Sequence, residues 1–254
     1  MISFREFTEK KNVFKKLIDQ YGKYKVFSVN GQAVRNSSKQ LQEFGGSSIH
    51  AYLSAIPKDE IWIEDDIKPE ERVVLIASAL HQLKSIAGGM SVGKAYDVGL
   101  KKEKDYRDSA KLSRKKPCET DKRAPKEIYV KKYGHIKDDD IDVWLVDGEA
   151  VRNEFKTDYI EGAHGYVYSF TPNNEIWIEE SPHAEEFPYI LLHEYVERTL
   201  MKYKKTPYDK AHVIAAKVEW TMRCNTTGGI NEGYCKSDAL SLTQSEALWL
   251  ARKH

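Results

Sequence analysis

Cysteine is scarce in this sequence: Cys118, Cys224 and Cys235 are the only three, with no CxxC spacing. Such usage argues against a disulfide framework and a cysteine zinc site, and it fits a reducing, cytosolic setting. Pairing or metal binding by Cys224 and Cys235 stays open. Long apolar runs are also missing. No stretch approaches the roughly 18–20 residues of a membrane span, so no membrane contact is expected. The opening MISFREFTEKKNVFKKLIDQYGKY is charged throughout and lacks the apolar core of a secretory leader. Nor does one sign of charge dominate: 40 Lys and Arg face 39 Asp and Glu, a formal net charge of +1. That excludes a globally basic coat for nucleic acid but not a local basic patch. What is present is ordinary for a folded protein. The 254 residues are 41% hydrophobic and 31% charged, enough for one large domain or two small ones.

The chain contains an internal duplication. YKVFSVNGQAVRN (24–36) matches IDVWLVDGEAVRN (141–153), and PKDEIWIEDD (57–66) matches PNNEIWIEES (172–181). A spacing this long is not a solenoid repeat and reads as two copies of one small domain. Five regions follow: an amphipathic N-terminal helix over 1–23, a degenerate first repeat over 24–104, a charged linker over 105–140, a second repeat over 141–223, and a C-terminal loop and helix over 224–254. Each copy opens with a strand, KVFSV or DVWLV, ending at Asn30-Gly31 or Asp147-Gly148, pairs that suit a tight turn. A second strand is expected near His50–Ala55 or Gly165–Phe170. The third, EIWIE, alternates apolar and polar residues, with Trp62 and Trp177 reading as core. Two helices close each copy, near 69–86 and 91–104, then 185–203 and 207–223. The predicted class is α+β, with about three strands then two helices in each copy and helices on one face of a small sheet. The linker's basic run, Arg114-Lys115-Lys116, is the one candidate for nucleic-acid phosphates. The last helix, near 243–253, opens with Thr243 and Glu246 at capping-box spacing.

The copies agree at apolar positions and differ at polar ones. Aligned without gaps, Ala77 stands opposite His193, Ser78 opposite Glu194, His81 opposite Glu197, and Tyr96 opposite His212. Residues that one copy lacks are not required by the shared fold, which marks the second copy as the one carrying chemistry. Glu103 and Glu219 match, which favours a structural role for Glu219. His193 and Glu197 lie four apart on a helix and share a face. The next helix can bring His212 against that face. Two imidazoles and a carboxylate with a free fourth position form the ligand set of a catalytic zinc, so His193, Glu197 and His212 are the candidate metal ligands. Glu194, beside the first ligand, is placed to take a proton from bound water. A buried ion pair or a hydrogen-bonded core histidine is the competing account of the same residues.

The stretch resembles the active site of zincin-type metallopeptidases, whose pattern is HExxH with a further ligand downstream. Here it reads His193-Glu194-x-x-Glu197, with His212 downstream. The resemblance implies a zincin-like second copy, His193 as first ligand and Glu194 as general base. Glu197 departs from the pattern, standing where the family has its second histidine, and His212 would supply the missing imidazole. Asp209, Tyr208 and His164 are candidates to support the ligands rather than bind the ion. With one gap allowed, His164 faces His50, which favours a shared or structural role. The wider pattern also resembles proteins of phages and large viruses, which implies no activity and, for a viral protein, a host-cytoplasm setting. Two functions stand side by side. One is a zinc-dependent hydrolase, most simply a peptidase with a peptide or protein substrate, though a phosphoester substrate shares the same metal chemistry. The other is a non-enzymatic binding or scaffold module built on the repeat, its EIWIE strand offering an edge to an extended peptide.

Overall fold

The computed structural model describes residues 15–110 and 126–226. Among them the chain forms two compact units, one from 15–110 with 149–158, the other from 126–148 with 159–226. The architecture is mixed α+β, with two four-stranded sheets. In chain order the first set is β1 (Lys15–Tyr21), β2 (Tyr24–Val29), α1 (Gly31–Ser37), β3 (Ser47–Ile49), β4 (Glu60–Glu64), α2 (Pro69–Ala87) and α3 (Val92–Ser109). The second is β5 (Tyr129–Ile136), β6 (Ile141–Val146), α4 (Gly148–Glu154), β7 (Gly162–His164), β8 (Glu175–Glu179), α5 (Phe187–Lys204) and α6 (Tyr208–Thr226).

Both sheets share one topology. Their orders are β1-β2-β4-β3 and β5-β6-β8-β7. The central pair is parallel, and both outer strands run antiparallel to their neighbours. The duplicated sequences occupy matching registers: Val26 pairs with Ile61 and Val143 with Ile176. Period-two alternation sends Ile61 and Ile63 to one face, under Leu75, Ala79 and Leu80 of α2, and Trp62 to the other, among Val34, Leu41 and Phe44. Trp62 and Trp177 are fully buried, as expected of core residues. Both sheet faces are therefore covered, not one.

Several sequence expectations change. Each copy has four strands, not three. Residues 15–21 form an edge strand, not the end of an N-terminal helix, because they pair with β2. Residues 129–136 of the expected linker form the matching strand β5, and α3 extends through the linker's start. Asn30-Gly31 opens a helix instead of a tight turn: the Asn30 side chain accepts from the Ala33 N–H at 2.8 Å, satisfying a donor the first turn leaves bare. The second strands lie earlier than expected, at Ser47–Ile49 and Gly162–His164. The EIWIE strands are interior, so the sheet edge beside them belongs to β3 and β7. Residues 1–14, the run Arg114-Lys115-Lys116 and the last helix near 243–253 lie outside the described residues. Cys224 is buried near the end of α6 and is disulfide-bonded. The other two cysteines lie outside the described residues. No described helix is long and apolar enough to cross a membrane.

Each unit carries a buried carboxylate–arginine lock between its two long helices. In the first, Arg107 of α3 donates to Glu103 at 2.7 Å and to Glu71 of α2 at 2.9 Å. Arg152, from the 149–158 segment of this unit, also donates to Glu71, at 2.6 and 2.8 Å. In the second, Arg223 of α6 donates to Glu219 at 2.8 Å and to Glu186, just before α5, at 2.8 and 3.0 Å. Matching Glu71 with Glu186 shifts the helix alignment by one residue from the ungapped one. Ser78 then stands where His193 does, Ala79 where Glu194 does, and Gln82 where Glu197 does. The core agrees, since Leu75, Ile76 and Leu80 then fall on Ile190, Leu191 and Tyr195.

Candidate metal centre

Helix α5 begins with Pro188 in its first turn, where the missing N–H is harmless, and buries Tyr189, Ile190 and Leu192. The same face carries His193 and, one turn on, Glu197. The helix stops at Lys205, in the left-handed conformation with φ 53°, and α6 returns alongside it. Three ligand-type atoms meet between these helices. His193 Nε2 lies 3.1 Å from His212 Nδ1, His212 Nδ1 lies 2.9 Å from Glu197 Oε2, and His193 Nε2 lies 3.7 Å from Glu197 Oε2. The edges of a tetrahedral zinc site with bonds near 2.0–2.1 Å are about 3.3 Å, so this triangle has the right size and donor set.

The other nitrogen of His193 is held. Its Nδ1 lies 2.9 Å from Glu219 Oε2, while Glu219 Oε1 accepts from Arg223 at 2.8 Å. Donation from Nδ1–H to this acid leaves the Nε2 lone pair facing the triangle, the arrangement that orients metal-binding histidines. Glu219 is thus structural, as its match to Glu103 suggested, and also supports His193, which the match alone could not reveal.

His164 is fully buried, and its Nε2 lies 3.0 Å from Glu197 Oε1. A second group, His164, Glu194 and Glu197, shares Glu197 with the first. The sheet register corrects the pairing of His164 with His50. His164 pairs with Ile176 on β8 as Ile49 pairs with Ile61 on β4. Its counterpart is an isoleucine, so this histidine belongs to the second copy alone. Glu194 sits against Gly162 of β7, where a Cβ would come within 2.6–2.8 Å of its carboxylate. The first copy has Ser47 and Ala79 at these places, so Gly162 and Glu194 change together.

Tyr208 and Asp209 lie in the first turn of α6, both exposed. The Tyr208 ring is 5.5 Å from that of His212, beside the site, whereas Asp209 belongs to neither ligand group.

The charges reinforce one another. Burial pushes the Glu194 carboxyl up to about 8; neighbouring Glu197 and Glu219 raise it further, and His193 opposes them. Burial also acts to raise Glu197, but hydrogen bonds from His164, His193 and His212 outweigh it and hold this carboxyl well below the ordinary range. His193 is disfavoured as a cation by burial, yet its bonds to Glu197 and Glu219 carry it well above the usual imidazole value. The site therefore pairs an acid that keeps its proton near neutrality with one that stays ionised, the division of labour acid–base chemistry uses.

At the matching positions the first copy is neutral: Gln82 Nε2 donates to Ser78 Oγ at 3.1 Å, and Tyr96 replaces His212, its ring 5.6 Å from that of Tyr52. Comparison with family models, curated proteins and solved structures returned no match.

Proposed function

We propose that the second unit is a zinc-dependent hydrolase domain acting on peptide bonds. His193, Glu197 and His212 would hold the ion, and Glu194 would move the proton. The observation that carries this reading is the convergence of three ligand-type atoms within 2.9–3.7 Å, made by residues whose counterparts in the first copy form no such group. Bound zinc would lower the pKa of its water and polarise the carbonyl under attack. The chain's own groups do the rest. Glu219 fixes the His193 ring, and Glu197 stays anionic to balance the ion's charge. The ion's positive charge would favour the ionised form of Glu194, which would then take a proton from water and return it to a leaving amine.

A binding module without chemistry is the second reading. The observation that favours it is that each Glu197 oxygen already has a histidine partner, as a closed hydrogen-bond network would. Metal analysis separates the two. The purified chain is expected to hold about one zinc, and His193→Ala and His212→Ala to lose it. Glu194→Gln is expected to keep zinc and to lose turnover of a peptide library. Wild-type protein without zinc, or zinc retained in both histidine variants, defeats the hydrolase reading.

A further inference from the structure

The two ligand groups share one carboxylate, which raises the question whether this centre takes one ion or two. We infer that it takes one, and that His164 is a hydrogen-bond donor aiming Glu197 and not a ligand. The inference rests on the zinc reading above and assigns His164 its part in it.

The argument turns on which ring nitrogen of His164 carries the proton. Its Nδ1 accepts from the backbone N–H of Tyr166 at 3.2 Å. A nitrogen that accepts from an N–H bears no proton itself, so the proton of the neutral ring sits on Nε2. That Nε2–H points at Glu197 Oε1, 3.0 Å away. Ligation through Nε2 would move the proton to Nδ1, where it would face the Tyr166 N–H directly. The backbone of the turn after β7 thus closes His164 to a metal ion. It also fixes how Glu197 is shared: Oε1 is engaged by His164, and Oε2 is left to the triangle with His193 and His212. Glu197 is therefore a one-oxygen ligand whose second oxygen is anchored. The first copy shows that β7 needs no histidine for folding, since Ile49 fills the same register.

The test compares wild type with His164→Ile, the first copy's residue, and His164→Gln, whose amide can still donate. Zinc competition titrations are expected to give one ion per chain in all three. Affinity should fall roughly ten- to hundredfold in His164→Ile and stay within a few-fold in His164→Gln. Urea unfolding of the metal-free chain should show His164→Ile at least as stable as wild type, which separates aiming from folding. Two ions in wild type falling to one in His164→Ile would make His164 a ligand and overturn the inference. So would wild-type affinity in His164→Ile. Should His164→Ile fail to fold, the Gln variant and an NMR measurement decide. Long-range ¹H–¹⁵N spectra of the metal-free chain should place the His164 proton on Nε2, and a proton on Nδ1 overturns the assignment whether or not zinc binds. Absence of zinc from wild type, with the proton on Nε2, would sink the hydrolase reading while leaving the donor role of His164 intact.

Discussion

In the first unit Glu103 takes its hydrogen bonds from Arg107; in the second, the matching Glu219 takes one from Arg223 and another from His193. The shift in proton affinity differs accordingly. Burial raises Glu103 more than Arg107 can lower it. Burial raises Glu219 too, but Arg223 together with His193 pulls it below the ordinary range. His193, which the first copy lacks, is one source of the difference, and the repulsion of Glu71 on Glu103 is another. The lock belongs to the fold, and what approaches the lock belongs to the site.

The largest effects should come from breaking the locks. Arg107→Ala and Arg223→Ala each leave buried carboxylates short of their cation, and each should cost about 3–5 kcal/mol in urea unfolding. Only Arg223→Ala should also weaken zinc binding, because Glu219 then loses the partner that holds it against His193. Equal zinc loss in both variants would break the comparison.

A smaller effect is expected at the β7 edge. Gly162→Ser restores the first copy's residue, but its Cβ would lie 2.6–2.8 Å from Glu194, and overpacking of this kind costs about 1–3 kcal/mol. Adding Glu194→Ala recreates the Ser47/Ala79 pair and should recover most of the loss. A double-mutant cycle with no coupling would show that the two sites do not constrain each other.

The smallest effect is in pH dependence. Glu194 and His193 both bind protons more tightly when folded, so their contribution to stability is complete below their unfolded values and is lost as pH rises through the folded ones. The melting temperature of the metal-free chain should therefore fall between about pH 5 and pH 8, and Glu194→Gln should flatten that fall. Glu197 has the opposite sign, and its contribution disappears only in strong acid. An unchanged slope in Glu194→Gln would place the titration elsewhere.

The duplication, the KVFSV and EIWIE strands, and the two helices of each copy were legible because period-two and helical patterns survive in both halves; the parallel pairing of those strands came only from the structure. The meeting of His193, Glu197 and His212 followed from four-residue spacing and a helical hairpin. His164 was misread because a single gap in the alignment set it against His50, and only the pairing register places it opposite Ile49. Asn30 was misread because the same side chain suits a turn and a helix cap. β1 and β5 were hidden because an edge strand with one solvated side keeps many charges and imitates a polar helix or linker. The double duty of Glu219 was invisible because a matched residue looks purely structural.

That double duty affects how such a site decays and returns. The first copy retains Glu103 and Arg107 although no imidazole leans on them. Selection for a stable helix pair alone is enough to preserve the acid that would steady a ring. Ser78→His would bring an imidazole toward an acid that Arg107 already anchors, but it would have to displace the buried Gln82 amide that now donates to Ser78.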